Sequence, residues 1–65
     1  MQKVIHDNGA TWTLSSVKRE IAVYQEHLAK AKREIAAGNE RMRAYAEAYA
    51  QHLDALIQLK AKFDA

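Results

Sequence analysis

The sequence contains three histidines, the side chains best suited to bind a metal or transfer a proton near neutral pH. His6, His27 and His52 are far apart in the chain, and no helix face carries the His-x-x-x-His or Glu-x-x-His spacing that brings ligands together. If the chain folds back at its middle, His27 approaches residues 49–53 and therefore His52. Three carboxylates could then add ligands: Glu26, Glu47 and Asp54. We expect no metal and no cofactor, because a polar residue such as His52 within a helical seam more often fixes the register of a helix pair.

Nucleophilic catalysis has little support in the sequence. The chain has no cysteine, no glycine-rich phosphate loop, and no serine placed with a histidine and a carboxylate as a triad requires. Ser15 and Ser16 are explained as caps of a following helix. We therefore predict that the protein is not an enzyme and has no catalytic residue.

The length of the chain limits its stability. With 65 residues it forms a single small domain, 1–65, and a core of that size is marginal without a disulfide, a metal or a partner subunit. Because there is no cysteine, self-association is the expected source of the missing stability. The sequence has no apolar run of membrane-spanning length and no secretory signal, so we expect a soluble, cytoplasmic protein that does not bind membranes.

The first part of the chain, residues 3–14, has the pattern of a β-hairpin. Asn8-Gly9 lies between strand-forming residues, and Asn-Gly favours a two-residue type I′ turn. Such a turn pairs Ile5 with Trp12 and places Ala10 and Leu14 on the same face. A three-residue loop, 7–9, is the alternative and would pair Val4 with Trp12. In either register the isolated ribbon is barely stable, so its Trp12 face must dock elsewhere.

The remainder of the chain consists of strong helix formers and contains no proline. Apolar residues recur at alternating spacings of three and four, which is the pattern of a coiled-coil seam. In the first half these residues are Val17, Ile21, Tyr24, Leu28, Ala31 and Ile35. In the second half they are Met42, Tyr45, Tyr49, His52, Leu56, Leu59 and Phe63.

Gly38-Asn39 divides the two halves, and two architectures are compatible with it. In the preferred one, Gly38 ends a helix over 16–37, Asn39 caps a helix over 40–64, and the two form an antiparallel helical hairpin. In the alternative, the heptad phase continues through Gly38 and a single long helix zips to a second chain. The nearly equal lengths of the halves and the cost of glycine inside a helix favour the hairpin.

The second half is apolar over a wide arc. Its additional apolar residues beside the seam are Ala46, Ala48, Ala50, Leu53, Ala55 and Ile57. A helix with so broad an apolar surface contacts more than one neighbour. We therefore predict a homodimer in which two helical hairpins form a four-helix arrangement, with Leu53 joining the seam residues in the shared core.

Basic residues cluster around the centre of the sequence. Residues 30–43 carry a net charge of +3, and the basic residues are Lys30, Lys32, Arg33, Arg41 and Arg43. These five residues, together with Trp12, are the candidate contacts for a partner.

The sequence therefore predicts a non-enzymatic protein-interaction module: a small adaptor, assembly factor or inhibitor, of a size common among regulators from viruses and mobile elements. The first alternative is an accessory protein that contacts nucleic acid through the basic region. The second is an oligomer that sequesters a small ligand in pockets between its subunits, lined by tyrosines and Trp12.

Overall fold

The computed structural model describes residues 3–7 and 9–64 of the chain. An N-terminal hairpin of strands β1 (Val4–Asp7) and β2 (Ala10–Thr13) leads directly into helix α1 (Leu14–Ala36), and a short turn leads into helix α2 (Met42–Asp64). The predicted β-hairpin and helical hairpin are thus confirmed. The alternative of one continuous helix is wrong, because the chain reverses between α1 and α2.

The β-hairpin has the register predicted for a two-residue loop. Ile5 lies opposite Trp12 and Asp7 lies opposite Ala10. Gly9 has a φ of 76°, the left-handed conformation expected of the glycine in this turn, while Asn8 lies outside the described residues. The predicted ribbon over 3–14 was too long, since Leu14 is the first residue of α1 and does not continue the strand alternation.

Helix α1 begins with a capping box at Thr13, whereas the predicted caps were Ser15 and Ser16. The cap is Thr13, whose hydroxyl accepts a hydrogen bond from the Ser16 backbone N–H at 3.2 Å. The Ser16 hydroxyl in turn accepts a bond from the Thr13 N–H at 2.9 Å. Ser15 and Ser16 are therefore inside the helix. The helix begins two residues earlier than predicted because the threonine that ends β2 satisfies the free N–H groups of the first turn.

The turn between the helices is a Schellman motif centred on Gly38. The Gly38 N–H donates to the Ile35 carbonyl and the Asn39 N–H donates to the Glu34 carbonyl, both at 2.9 Å. Gly38 has a φ of 104°, so its predicted role as the left-handed residue is confirmed. Asn39 does not directly cap α2, which begins at Met42 rather than at residue 40. The Asn39 N–H closes the end of α1, and two further residues are needed before the chain has reversed.

Few side chains are buried between the helices. Within the described part of the chain the buried residues are Val17, Ala31, Leu56 and Leu59. Most of the other predicted core positions, including Ile21, Leu28, Ile35, Met42 and Phe63, are half-buried. The hydrophobic core is thus a thin seam along an elongated molecule measuring 48 × 17 × 17 Å.

Helix α2 is rotated relative to the predicted seam. Tyr45 is 57% exposed and His52 is also exposed, whereas Ala46 and Leu53 are half-buried. Tyr45 and His52, which were predicted to lie on the helical seam, are therefore not buried within the single chain. The periodicity of the sequence could not determine this rotation. Apolar residues of α2 lie on both sides of the line of residues Met42, Tyr49, Leu56 and Phe63, and the helix faces on either side both repeat at spacings of three and four.

Candidate interaction surfaces

An aromatic cluster bridges the two helices near their midpoints. The Tyr24 ring lies 4.2 Å from the His52 ring and 5.7 Å from the His27 ring, measured between centroids. His27 stacks on Tyr49 at 5.5 Å, and the two tyrosines are 6.0 Å apart. The approach of His27 to residues 49–53, expected from a chain that folds back, is confirmed. The contact between the Tyr24 and His52 rings, which are tilted by 38° to each other, was not predicted, although the helical hairpin brings both to the same level.

The histidines in this cluster are explained by packing. Both imidazoles are exposed at its edge, and the half-buried tyrosines contact them in the edge-on and stacked arrangements that aromatic rings favour. Across residues 3–7 and 9–64, no group of three or more His, Cys, Asp or Glu side chains is arranged to hold a metal ion. The cluster joins α1 to α2 through ring contacts.

Two grooves lie beside the β-hairpin, away from the tyrosines. One has a volume of about 400 Å³ and is lined by Lys3, Leu14, Ser15, Lys18 and Phe63. The other, of about 190 Å³, runs along the half-buried Trp12 to Arg19 and Glu20. Trp12 thus lines a groove of the single chain, and none of the three tyrosines lines either groove.

The hairpin is attached to the far end of α2 by a contact that the sequence did not reveal. The Lys3 ammonium donates a hydrogen bond of 3.0 Å to the carbonyl of Lys62, in the last turn of α2. A cation is favourable there because the last carbonyls of a helix lack partners within the helix. The contact joins positions 59 residues apart, so no local pattern could have predicted it.

The predicted basic residues surround the turn between the helices and do not form a single face. All five are exposed. Lys30 and Lys32 are two residues apart on α1, so they point in directions that differ by about 160° around the helix axis. Any one flat surface can therefore contact only some of these residues.

Arg43 already has a partner. Its guanidinium pairs with the Glu40 carboxylate three residues earlier. The hydrogen bond and the charge of Arg43 lower the pKa of Glu40 below its ordinary value, and Glu40 raises the pKa of Arg43 in the same way. Both side chains are exposed, so the pair contributes little to stability.

The outward side of α2 carries a row of seven positions, four of them apolar, which we call the outer α2 row. Its seven positions are Arg43, Ala46, Ala50, Leu53, Ile57, Lys60 and Asp64. Ile57 is 49% exposed and Ala50 is also exposed, while Ala46 and Leu53 are half-buried. The sequence indicated this surface through the breadth of the apolar arc, and the structure leaves Ala50 and Ile57 open to solvent.

The β-hairpin provides another open surface. Strand β2 packs against α1, and β1 is the other strand of the two-stranded sheet. The β1 residue Val4 is 44% exposed. An open strand edge of this kind can pair with an extended peptide.

Comparison with known proteins gives no assignment, since no family model, no curated protein and no solved structure matches the chain. In the described part of the chain neither helix is sufficiently long and apolar to cross a membrane.

Proposed function

We propose that the chain is a non-enzymatic protein-interaction module that acts as a homo-oligomer, most simply a dimer. A small adaptor, an assembly factor and an inhibitor are the functions compatible with such a module. The observation that carries the proposal is the excess of exposed surface on the single chain. Only four of the described side chains are buried, and on the outer α2 row Ala50 is exposed and Ile57 is 49% exposed.

The excess can be expressed as an area. A compact monomer of 7.4 kDa exposes about 4,200 Å², whereas this chain exposes 4957 Å². The difference of about 750 Å² is close to the roughly 800 Å² that each partner buries in an interface of standard size. The radius of gyration, 14.0 Å, likewise exceeds the value of about 11 Å for a compact chain of this length. Association of two chains through their apolar surfaces would remove the excess.

A dimer leaves other surfaces for a second protein. The edge of β1 is suited to an extended peptide, which would add backbone hydrogen bonds to the hairpin. The basic residues around the turn, in particular Arg33 and Arg41, are suited to an acidic surface. We propose a protein as this partner.

Two alternative functions have distinct signatures. Nucleic-acid binding through Lys30, Lys32, Arg33, Arg41 and Arg43 would weaken steeply as salt increases, because bound counterions are released. A small ligand that binds the folded chain, but not the unfolded chain, in the groove beside Trp12 would raise the melting temperature as its concentration increases. Dispersal of the basic residues around the turn disfavours the first alternative. The position of Trp12 beside a groove is the observation that favours the second.

The deciding experiment is light scattering with small-angle X-ray scattering over a range of protein concentrations. We expect twice the mass of one 7.4 kDa chain, with a longest dimension near the 48 Å of the protomer. A mass of a single chain at every concentration up to the millimolar range would refute the homo-oligomer.

A further inference from the structure

We propose that two copies of this chain associate through the outer α2 row, with the two α2 helices antiparallel about a twofold axis near Leu53. This inference rests on the proposed homo-oligomer and names its interface and partner. It is carried by the repeat of the row, by the match of its small and large residues, and by the charges at its ends.

The outer α2 row is a second heptad seam on the same helix. Its positions repeat at alternating spacings of three and four, as do the positions of α2 that face α1. The row is turned by about 60° around the helix axis from the side that faces α1. Ala46 and Leu53 belong to both seams, which explains why they are half-buried in the single chain, whereas Ile57 belongs only to the outer one and is 49% exposed.

An antiparallel arrangement makes the row complementary to itself. With the axis near Leu53, Ala50 of one chain lies opposite Ile57 of the partner subunit, so the large side chain fits over the small one. Arg43 lies opposite the partner subunit's Asp64, which places opposite charges together at both ends of the interface. A parallel arrangement would instead place Arg43 beside Arg43 and Asp64 beside Asp64.

The opposite flank of α2 does not have this complementarity. That flank also repeats at spacings of three and four, through Tyr45, Ala48, His52, Ala55 and Leu59, and it begins at Arg41 and ends at Lys62. Antiparallel self-association there would place Arg41 opposite the partner subunit's Lys62, two like charges. On this flank, the ring of His52 also already contacts Tyr24 of α1. The outer row is therefore the better interface.

The proposed axis lets the interface extend along the whole of α2. It lies at the middle of α2, so the two helices overlap over nearly their full length of about 35 Å. A side-by-side dimer of this kind covers an entire helix flank in each chain. Its longest dimension stays near that of the protomer, 48 Å.

The test compares Ile57→Glu with Gln51→Glu, using the full chain and measuring the dimer dissociation constant by sedimentation equilibrium. Both variants introduce the same charge at exposed positions of α2, but Gln51 is on the polar side, away from α1 and the outer row. We expect Ile57→Glu to weaken the dimer at least 100-fold and Gln51→Glu to change it less than threefold. Equal dissociation constants for the two variants, with the wild type dimeric, would overturn this interface and leave the homo-oligomer standing.

Charge exchange tests the antiparallel orientation. Arg43→Asp should weaken the dimer several-fold, and the double variant Arg43→Asp/Asp64→Arg should restore it, because the exchanged charges again lie opposite each other. An equal loss in the double and single variants would overturn the antiparallel pairing. A wild type that is monomeric at all concentrations would refute the homo-oligomer itself, which is a distinguishable result.

A cross-linking test applies if Ile57→Glu loses its helical circular dichroism. The native chain has no cysteine, so the double variant Ala50→Cys/Ile57→Cys introduces the only thiols. A thiol-reactive cross-linker that spans about 10 Å, the distance between packed helices, should give covalent dimers. Gln51→Cys/Gln58→Cys is the matched control with the same spacing on the polar side. Equal yields of cross-linked dimer from the two variants would contradict the proposal.

Discussion

Replacement of Gly38 by alanine distinguishes the observed turn from a continuous helix by the sign of its effect on stability. In the structure Gly38 has a φ of 104°, where an L-residue is strained. A Cβ added there would meet no atom within 4 Å, so the strain comes from the backbone alone. A left-handed conformation costs an L-residue about 1–2 kcal/mol. Alanine also lowers the conformational entropy of the unfolded chain, which offsets about 0.4–1 kcal/mol of this cost.

We therefore expect Gly38→Ala to lower the free energy of unfolding by about 1 kcal/mol net, which corresponds to about 4–8 °C in the melting temperature of so small a domain. Inside a continuous helix the same substitution would raise stability by about 1 kcal/mol, because alanine has the higher helix propensity. The assay is urea denaturation followed by circular dichroism, at one protein concentration for all variants, since the stability of a dimer depends on concentration.

A matched control separates backbone strain from the added methyl group. A chain of 65 residues is accessible to chemical synthesis, and D-alanine at position 38 adds the same methyl while favouring positive φ. We expect the D-alanine variant to be about 0.4–1 kcal/mol more stable than the wild type, because only the entropic term remains. A Gly38→Ala protein that is more stable than the wild type and about 75 Å long by X-ray scattering would refute the turn.

Three further predictions concern the cap, the aromatic cluster and the ion pair. Thr13→Ala should lower the free energy of unfolding by about 1 kcal/mol in urea denaturation, whereas an unchanged value would mean that the capping bond adds nothing. His52→Ala should cost about 0.5–1.5 kcal/mol through the lost ring contact with Tyr24, and a double-mutant cycle with Tyr24→Ala should give a coupling of that size, with zero coupling contradicting it. The pKa of Glu40 is lowered, so its pairing with Arg43 favours the folded state above the ordinary glutamate pKa, and this contribution is lost as the pH falls through the lowered pKa. In an NMR titration, Arg43→Gln should move the titration midpoint of Glu40 upward. An unmoved midpoint would contradict the pairing.

The sequence predicts most of this fold because its strongest signals are local. Asn8-Gly9 determined the hairpin register, and Gly38 with the composition on either side of it determined the helical hairpin. The errors lie at the element ends. Thr13 continues the alternating pattern of the strand, and its hydroxyl can also cap a helix. Nothing in the sequence therefore favours Thr13 over Ser15 or Ser16 as the cap.

The rotation of α2 and the attachment of Lys3 to Lys62 required tertiary information. An apolar arc as broad as that of α2 has several seams with the same period, and the choice among them depends on how α1 and the β-hairpin pack against it. The carbonyl that accepts the Lys3 bond is a backbone group, which leaves no signal in the sequence. For the interaction surfaces, the sequence identified Ile57 and Ala50 as additional apolar residues, but their exposure depends on the rotation that periodicity could not select.

Sharing of residues between two seams has a thermodynamic consequence. Ala46 and Leu53 belong both to the side of α2 that faces α1 and to the outer α2 row. Substitutions there therefore weaken the fold of the protomer together with the proposed dimer. Leu56, which is 3% exposed, belongs to the core alone, and Ile57 belongs to the outer row alone. Leu56→Asp should therefore abolish folding and, with it, association, whereas Ile57→Glu should separate the two. If association stabilises the fold, the melting temperature of the wild type must rise with protein concentration, and that of Ile57→Glu must not.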